Sequence, residues 1–383
     1  MKPIIITKIK NLRGKKVLVR VDLNCTVVKG RVIESDRIKA HAETLKYLKK
    51  KGAKVVVLAH QGEKGGKDLI CLEQHARLLN KYVKIKFVDQ VFGEKAWEAM
   101  NSLKNGDAIL LDNVRFVKEE YEPSEDNGFV QFMKQENFDY FVQDAFSVCH
   151  RNQTSVVSFP RVITPTIGLV MEKELENAYK IKRKSKNALF ILGGLKVKDV
   201  VSLIKYKNII ATGRVAFYGL TADGIDLGKE SKEVLKDKEN LKHVKDNIKN
   251  LILPSDLAVD FNGRRKDTDL GEFPVNRNIF DIGKNSANEF AAHILKLKST
   301  DVVFYKGAPG NFETHGFDYG TKKILNALAK TKAYTILSGG SGSDALNKFG
   351  LRKKNFNYIS LSGGALVRYI AGEKLPGLEA LGL

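Results

Sequence analysis

Four apolar runs in the first half of the chain each end in side chains able to grip an anion. Lys16-Val17-Leu18-Val19-Arg20-Val21 ends at Asp22-Leu23-Asn24, and Lys54-Val55-Val56-Val57-Leu58-Ala59 ends at His60-Gln61-Gly62. Ala108–Leu111 delivers Asp112-Asn113-Val114-Arg115-Phe116, and Tyr140–Val142 delivers Asp144-Ala145-Phe146 and then His150-Arg151. Arg37 opens a helical pattern just after the first run. The planar guanidinium fork suits phosphate and carboxylate, so three arginines and two histidines on one sheet edge imply a small, strongly anionic substrate. Near the middle of the chain, Phe190-Ile191-Leu192 breaks at Gly193-Gly194-Leu195-Lys196. That order reads as a buried strand, a tight turn and the start of a helix carried by Val197, Val200, Val201, Leu203 and Ile204. Glycines there let an anion approach backbone amides, the helix N-terminus adds partial positive charge, and Lys196 adds a full one. The spacing is neither the Walker pattern nor G-x-G-x-x-G, so the ten residues alone leave a phosphate site and a plain turn both open.

The elements that must position these groups alternate along the whole chain. In the first half, the strands of Lys16–Val21, Lys54–Ala59, Lys84–Val88, Ala108–Leu111 and Tyr140–Val142 are separated by helical patterns over Arg37–Lys51, Leu72–Leu79, Glu94–Met100 and Gly128–Gln135. Ser35-Asp36 reads as the N-cap of the first helix, and Arg31–Ile33 as a hairpin arm. The pattern breaks around Pro160–Pro165, and a helix then runs from Gly168 toward Lys184. In the second half, strands over Ala188–Leu192, Asn208–Ala211, Asn250–Leu253, Asp301–Tyr305, Tyr334–Leu337 and Tyr358–Ser360 end mostly in glycines, which admit a nucleotide's phosphates and flat base close to backbone. The expected fold is α/β, with two doubly wound parallel-sheet, Rossmann-like domains joined by a hinge helix. The boundaries fall at residues 1–167, 168–184 for the connecting helix, 185–373, and a C-terminal tail of 374–383 whose docking on the first domain the sequence leaves open.

A length of 383 residues exceeds what one core usually supports, in keeping with two domains. The 65 Lys and Arg against 44 Asp and Glu leave a net charge of +21, which raises nucleic acid, acidic membranes and anionic small molecules as partners. Basic and acidic residues are interspersed, as in Glu230–Lys249, so most read as a solvated surface, and no RRM, zinc-finger or helix-turn-helix signature argues for nucleic acid. Cys25, Cys71 and Cys149 are odd in number and far apart, which suggests reduced thiols in a cytoplasmic protein; Cys149-His150 reads as a small buried thiol rather than a nucleophile and its base. There is no apolar stretch long enough for a membrane span.

Taken in order, these blocks resemble the phosphoglycerate kinase family from Val17 to Leu383. The matching pieces are Val19-Arg20-Val21-Asp22-Leu23-Asn24, Asp36-Arg37-Ile38, His60-Gln61-Gly62, Asn113-Val114-Arg115-Phe116, Asp144-Ala145-Phe146 with His150-Arg151, Met171-Glu172-Lys173-Glu174-Leu175, Leu192-Gly193-Gly194-Leu195-Lys196-Val197, Leu253-Pro254, Gly310-Asn311-Phe312-Glu313 and Lys374-Leu375-Pro376-Gly377-Leu378. The histidine followed by glutamine and the short length are closer to the archaeal branch, of which the chain looks like a divergent member. The resemblance implies a glycolytic and gluconeogenic kinase moving a phosphoryl group reversibly between 1,3-bisphosphoglycerate and ADP, giving 3-phosphoglycerate and ATP, with Mg2+ mainly on the nucleotide phosphates. It implies that Asp22 and Asn24 hold the glycerate's hydroxyl and carboxylate, and that His60, Arg115 and Arg151 hold its non-transferring phosphate. Arg37 and Lys196 would meet the transferring group as the catalytic pair. Glu313 would bind the ribose, while Gly193, Gly194, Gly213, Gly339 and Gly340 would give backbone approach to the nucleotide. Phosphoryl transfer needs positioning, charge neutralisation and exclusion of water, which two hinged lobes lined with such groups can supply. Monomer and homodimer both stay open.

Departures from the family pattern motivate an alternative, a non-catalytic protein on the same fold that binds RNA or an anionic metabolite. The arginine usual three residues after the loop histidine is Glu63 here, with Lys64 and Lys67 close by. Lys306-Gly307-Ala308 replaces Asn-Gly-Pro, and Ser338-Gly339-Gly340-Ser341-Gly342 replaces Gly-Gly-Gly-Asp-Thr, leaving Asp344 as the nearest acid. Val200 falls where the second lysine of the central motif belongs, and Leu361-Ser362-Gly363-Gly364 replaces Thr-Gly-Gly-Gly.

Overall fold

The structure, a computed structural model, describes residues 4–383, with 340–343 described as backbone only. The chain divides into two compact units: residues up to 176 together with 373–383, and residues 177–372.

The first unit is built on a seven-stranded sheet. Its strands are β1 (Ile4–Ile5), β2 (Lys16–Arg20), β5 (Lys54–Leu58), β6 (Lys86–Val88), β7 (Ala108–Leu111), β8 (Tyr140–Gln143) and β9 (Pro165–Ile167), with the short hairpin β3 (Val27–Val28) and β4 (Arg31–Val32) standing apart. The order is β1-β9-β8-β2-β5-β7-β6, with every pairing parallel. Strands β2, β5 and β7 are apolar almost without interruption because both faces are covered. Val17 and Val19 of β2 pack on one face with Ile38, Ala42, Leu45 and Leu48 of α1 (Asp36–Lys50). Leu18, between them, packs on the other with Met100 of the helix Glu94–Asn101 and with Phe129 and Met133 of Gly128–Gln135. Each such side chain contributes roughly 1.5–3 kcal/mol by leaving water, so register is fixed by which face a residue serves.

Helix α1 begins at Asp36, and Ser35 does not cap it through its side chain as the sequence suggested. The Ser35 hydroxyl lies 3.1 Å from the Cys25 thiol instead, and the Asp36 carboxylate supplies the negative charge the first turn favours. The helix Leu169–Lys184 contains the division between the units. Its first turn is held by Asp144, whose Oδ1 accepts from the amides of Val170 at 2.9 Å and Met171 at 3.4 Å. The C-terminal residues belong to the first unit: the Gly377 amide donates to the Cys149 carbonyl at 2.9 Å, and Leu378 and Leu381 are buried.

The second unit has a six-stranded sheet ordered Leu251–Ile252, Ile209–Ala211, Leu189–Leu192, Val302–Lys306, Tyr334–Ser338 and Tyr358–Ser360, again parallel throughout. Leu189, Ile191, Val303 and Tyr305 pack against the helices Lys284–Leu295 and Tyr319–Lys330, while Phe190 on the opposite face stacks on Tyr206 at 5.3 Å. An antiparallel three-stranded sheet of Asp256–Phe261, Arg264–Asp269 and Ile279–Ile282, absent from the sequence expectation, is added to it. The helix expected after Lys196 is also replaced: two short 3-10 turns, Val197–Asp199 and Val201–Leu203, are separated by Val200 at φ −136°, in a stretch whose β-branched valines disfavour a continuous helix.

Candidate active site

In the first unit, β8, β2, β5 and β7 are neighbours running the same way, so their C-terminal ends line one edge of the sheet. The polar groups there interlock. The Asp22 carboxylate pairs with Arg37 from α1 and accepts from the Ser147 hydroxyl, and its other oxygen accepts the Asn24 amide at 2.9 Å. Asn24 Oδ1 accepts from the Gly62 amide at 2.9 Å, tying the end of β2 to the loop after β5. His60 Nδ1 lies 3.1 Å from Nη2 of Arg20, a strand residue buried among valines. Arg20 also donates through Nε to Ser155 Oγ at 2.9 Å, and Glu120 accepts from the same hydroxyl at 2.7 Å. Arg115 donates to the Gly62 carbonyl, and Glu63 sits between Arg115 at 3.0 Å and Arg151 at 2.8 Å. Arg115 Nε and Nη2 and Arg151 Nε are buried with no partner among the described residues.

These arrangements set the charge states. Burial first, and then the positive charges of Arg20, Arg115, Arg151 and Arg37, hold the His60 imidazole well below its ordinary range, so it is neutral. Burial lowers the Arg20 guanidinium to about 10, with Glu120 opposing, and it stays cationic at neutral pH. Partial burial pushes the Glu63 carboxyl up, but the hydrogen bond and charge of Arg151 together with Arg115 outweigh it and leave Glu63 below the usual carboxylate range. Cys149 is buried and its thiol pushed up to about 12, an inert packing group.

In the second unit, Gly193, Gly194, Lys196, Gly213 and Glu313 line one cavity of about 680 Å³. Gly339 does not line it and lies instead against Lys306, whose Nζ would be 3.0 Å from a Cβ placed there. Of Gly340 only the backbone, at the start of the helix Gly340–Lys348, is described, and the side chain of Ser341 lies outside the described residues. The glycines are spent largely on one another. The amides of Gly193 and Gly194 already donate at 2.9 Å to the carbonyls of Lys306 and Ala308, and a Cβ on Gly193 would meet Thr212 Oγ1 at 2.3 Å. They bring three strand ends into close contact, and the positive charge of the cavity comes from side chains, Lys196, Lys306 and Arg214. Lys306, noticed in the sequence only as a departure, is one of them: burial lowers its pKa, with Asp199 opposing. Two further lining residues carried no sequence signal, Arg214 and Glu230, paired at 3.5 Å. Asp281 shapes the floor through Arg265 and the Gly320 amide, each at 2.8 Å, and burial raises its carboxyl to about 6.

Two parallel α/β units, one carrying an arginine and histidine cluster at its strand ends and the other a glycine-walled, lysine-bearing cavity, define a class of kinase-like proteins. The phosphoglycerate kinase family profile matches residues 6–373. The chain is 35% identical to the phosphoglycerate kinase of Methanothermus fervidus, covering 96% of this chain and 94% of that one. It is 37% identical to that of Methanobacterium bryantii, covering 97% and 95%. The crystal structure of the Pyrococcus horikoshii phosphoglycerate kinase superposes with a TM-score of 0.88 at 32% identity over 99% of this chain and 98% of that chain. The chain belongs to the phosphoglycerate kinase family. Among the described residues no helix is long and apolar enough to cross a membrane.

Proposed function

We propose that this chain transfers a phosphoryl group reversibly between 1,3-bisphosphoglycerate and ADP, giving 3-phosphoglycerate and ATP, with the glycerate taken by the first unit and the nucleotide by the second. The observation that carries the glycerate assignment is Arg115. Its guanidinium is buried, with two of its nitrogens unpartnered among the described residues, an arrangement that is costly until an anion arrives and strongly favourable afterwards. Arg115, Arg151 and the neutral Nε2–H of His60 are the donors for the non-transferring phosphate. Asp22 and Asn24 take the glycerate's hydroxyl and carboxylate. Arg37, paired with Asp22, would lean on the transferring group. In the second unit Lys196 and Lys306 supply charge for the nucleotide's phosphates, Glu313 on the exposed rim is the ribose acid, and a cavity of about 680 Å³ is of the size that holds a small ligand. Mg2+ would be held chiefly by the nucleotide's own phosphates. When bound, it would neutralise charge on the oxygens between which the phosphoryl group moves.

A coupled assay with 3-phosphoglycerate, ATP and magnesium tests this directly. Turnover dependent on all three is expected, and folded protein that turns over nothing would end the proposal.

A further inference from the structure

We infer that Glu63 is a built-in, displaceable anion: its carboxylate sits in the seat between Arg115 and Arg151, and an incoming phosphate binds by turning it out. This rests on the reading that the first unit takes the phosphate of a phosphorylated glycerate. Arg151 addresses both Glu63 oxygens, Nη2 to Oε1 at 2.8 Å and Nη1 to Oε2 at 3.4 Å, while Arg115 Nη1 reaches Oε2 at 3.0 Å. That is the two-pronged geometry a guanidinium offers a phosphate. The partners differ in freedom. The Arg115 side chain is 0% exposed and pinned to the Gly62 carbonyl, whereas the Glu63 side chain is 61% exposed and can rotate into water. Gly62, at φ +74°, lies so close to the Asp68 backbone that a Cβ there would meet its carbonyl at 2.3 Å. Displacement needs only a rotation of the Glu63 side chain. Lys64 stands over the Tyr121 ring at 5.4 Å and stays outside the Glu63 pairing.

Glu63 offsets the mutual repulsion of the two arginines when no ligand is bound, and it makes every ligand compete with a carboxylate. A phosphate dianion, with more charge and more acceptor oxygens than the carboxylate it replaces, displaces it; a carboxylate or a neutral hydroxyl does not. The residue thus sets a threshold of charge for this end of the substrate, acting on binding and leaving the transfer step alone.

Glu63→Gln keeps the shape and removes the charge. The KM for 3-phosphoglycerate should fall about fivefold, the scale of a partly exposed ion pair, with kcat and the KM for ATP unchanged. Inorganic phosphate should inhibit at correspondingly lower concentration, while inhibition by D-glycerate, which lacks the phosphate, should not move. An unchanged or higher KM in a variant of wild-type melting temperature overturns the inference, and so does an equal gain for D-glycerate, which would mark a general charge effect. If the wild-type protein turns over nothing, the functional reading has failed, and the seat is judged separately by calorimetric titration of inorganic phosphate: tighter binding to Glu63→Gln supports it and equal binding overturns it. Glu63→Ser, equally neutral on this exposed loop, gives the same readings should the glutamine variant fold poorly.

Discussion

The guanidinium of Arg20 and the Nδ1 of His60 lie 3.1 Å apart, both buried at the end of neighbouring parallel strands. A guanidinium can only donate, so Nδ1 is the bare nitrogen and the proton sits on Nε2. Burial, followed by the charges of Arg20, Arg115, Arg151 and Arg37, keeps a second proton off. His60 is therefore a fixed neutral donor among cations. Side-chain nitrogen NMR should show the Nε2–H tautomer unchanged from roughly pH 8 to pH 5, and a ring that titrates with the ordinary midpoint of about 6.5 would contradict the assignment.

A second histidine governs acid stability. His75 donates from Nε2 to Gln61 Oε1 at 3.0 Å, its Nδ1 is buried without a partner among the described residues, and burial lowers its pKa to about 4. A depressed folded-state value means the unfolded chain takes up the proton first. The contribution is complete above about pH 6.5 and is lost as pH falls toward 4, by up to roughly 3 kcal/mol. Denaturant unfolding from pH 7 to 4.5 should show that decline, and His75→Gln should make the slope shallower by about one proton. An unchanged slope would place the acid lability elsewhere.

Lys306 bears on the pH dependence of activity. Burial lowers its pKa against the opposing charge of Asp199, so it loses its proton at lower pH than an ordinary lysine. If its charge serves the nucleotide's phosphates, turnover should fall on the alkaline side earlier than a normal lysine would cause, and Lys306→Arg should move that limb upward. Lys306→Ala and Lys196→Ala should each lower kcat by more than about tenfold. An alkaline limb that Lys306→Arg leaves in place belongs to another group.

The parts of this molecule legible in its sequence are those whose signal is local. The run Ala108–Leu111 and the helical pattern Gly128–Gln135 begin and end where expected, because a doubly covered strand and an amphipathic helix write their burial directly into residue type. The convergence of Arg115 and Arg151 could be read because parallel strands deliver their ends to one edge. What failed was non-local or polar. The strand Arg264–Asp269 contains no apolar residue to mark it, and the one local cue, Asn262-Gly263 with φ +55° and +77°, is a turn signal followed by a wholly polar stretch. That Glu63 would fill its own anion seat depends on Arg151, 88 residues away, and no spacing encodes it. The glycines after Leu192 were visible as glycines, but their main use, contact with the ends of two other strands, appears only once the sheet is assembled.

That contact makes a prediction in which two glycines of the same unit answer oppositely. At Gly193 a new methyl would stand 2.3 Å from Thr212 Oγ1, 2.9 Å from the Ala308 carbonyl and 3.2 Å from the Gly307 carbonyl, while Gly307 itself, at φ +86°, has the Gly193 carbonyl 2.3 Å from where its own Cβ would go. Neither strand end can retreat without breaking the bond from the Gly193 amide to Lys306 or that from Thr212 to Leu192, each backbone to backbone and 2.9 Å or shorter. Gly193→Ala should therefore cost about 1–3 kcal/mol, the usual scale for an overpacked site, and lower the melting temperature of the unit. Gly364 lies inside the helix Gly363–Ile370 with nothing within 4 Å of the position of a Cβ, so Gly364→Ala should stabilise by roughly 0.5–1 kcal/mol through the lost freedom of the unfolded chain. Thermal unfolding of the two variants side by side decides it: a Gly193→Ala melting temperature at or above wild type would mean that the glycines after Leu192 are not held by the packing of the three strand ends, and a lowered one for Gly364→Ala would mean that its position is not open.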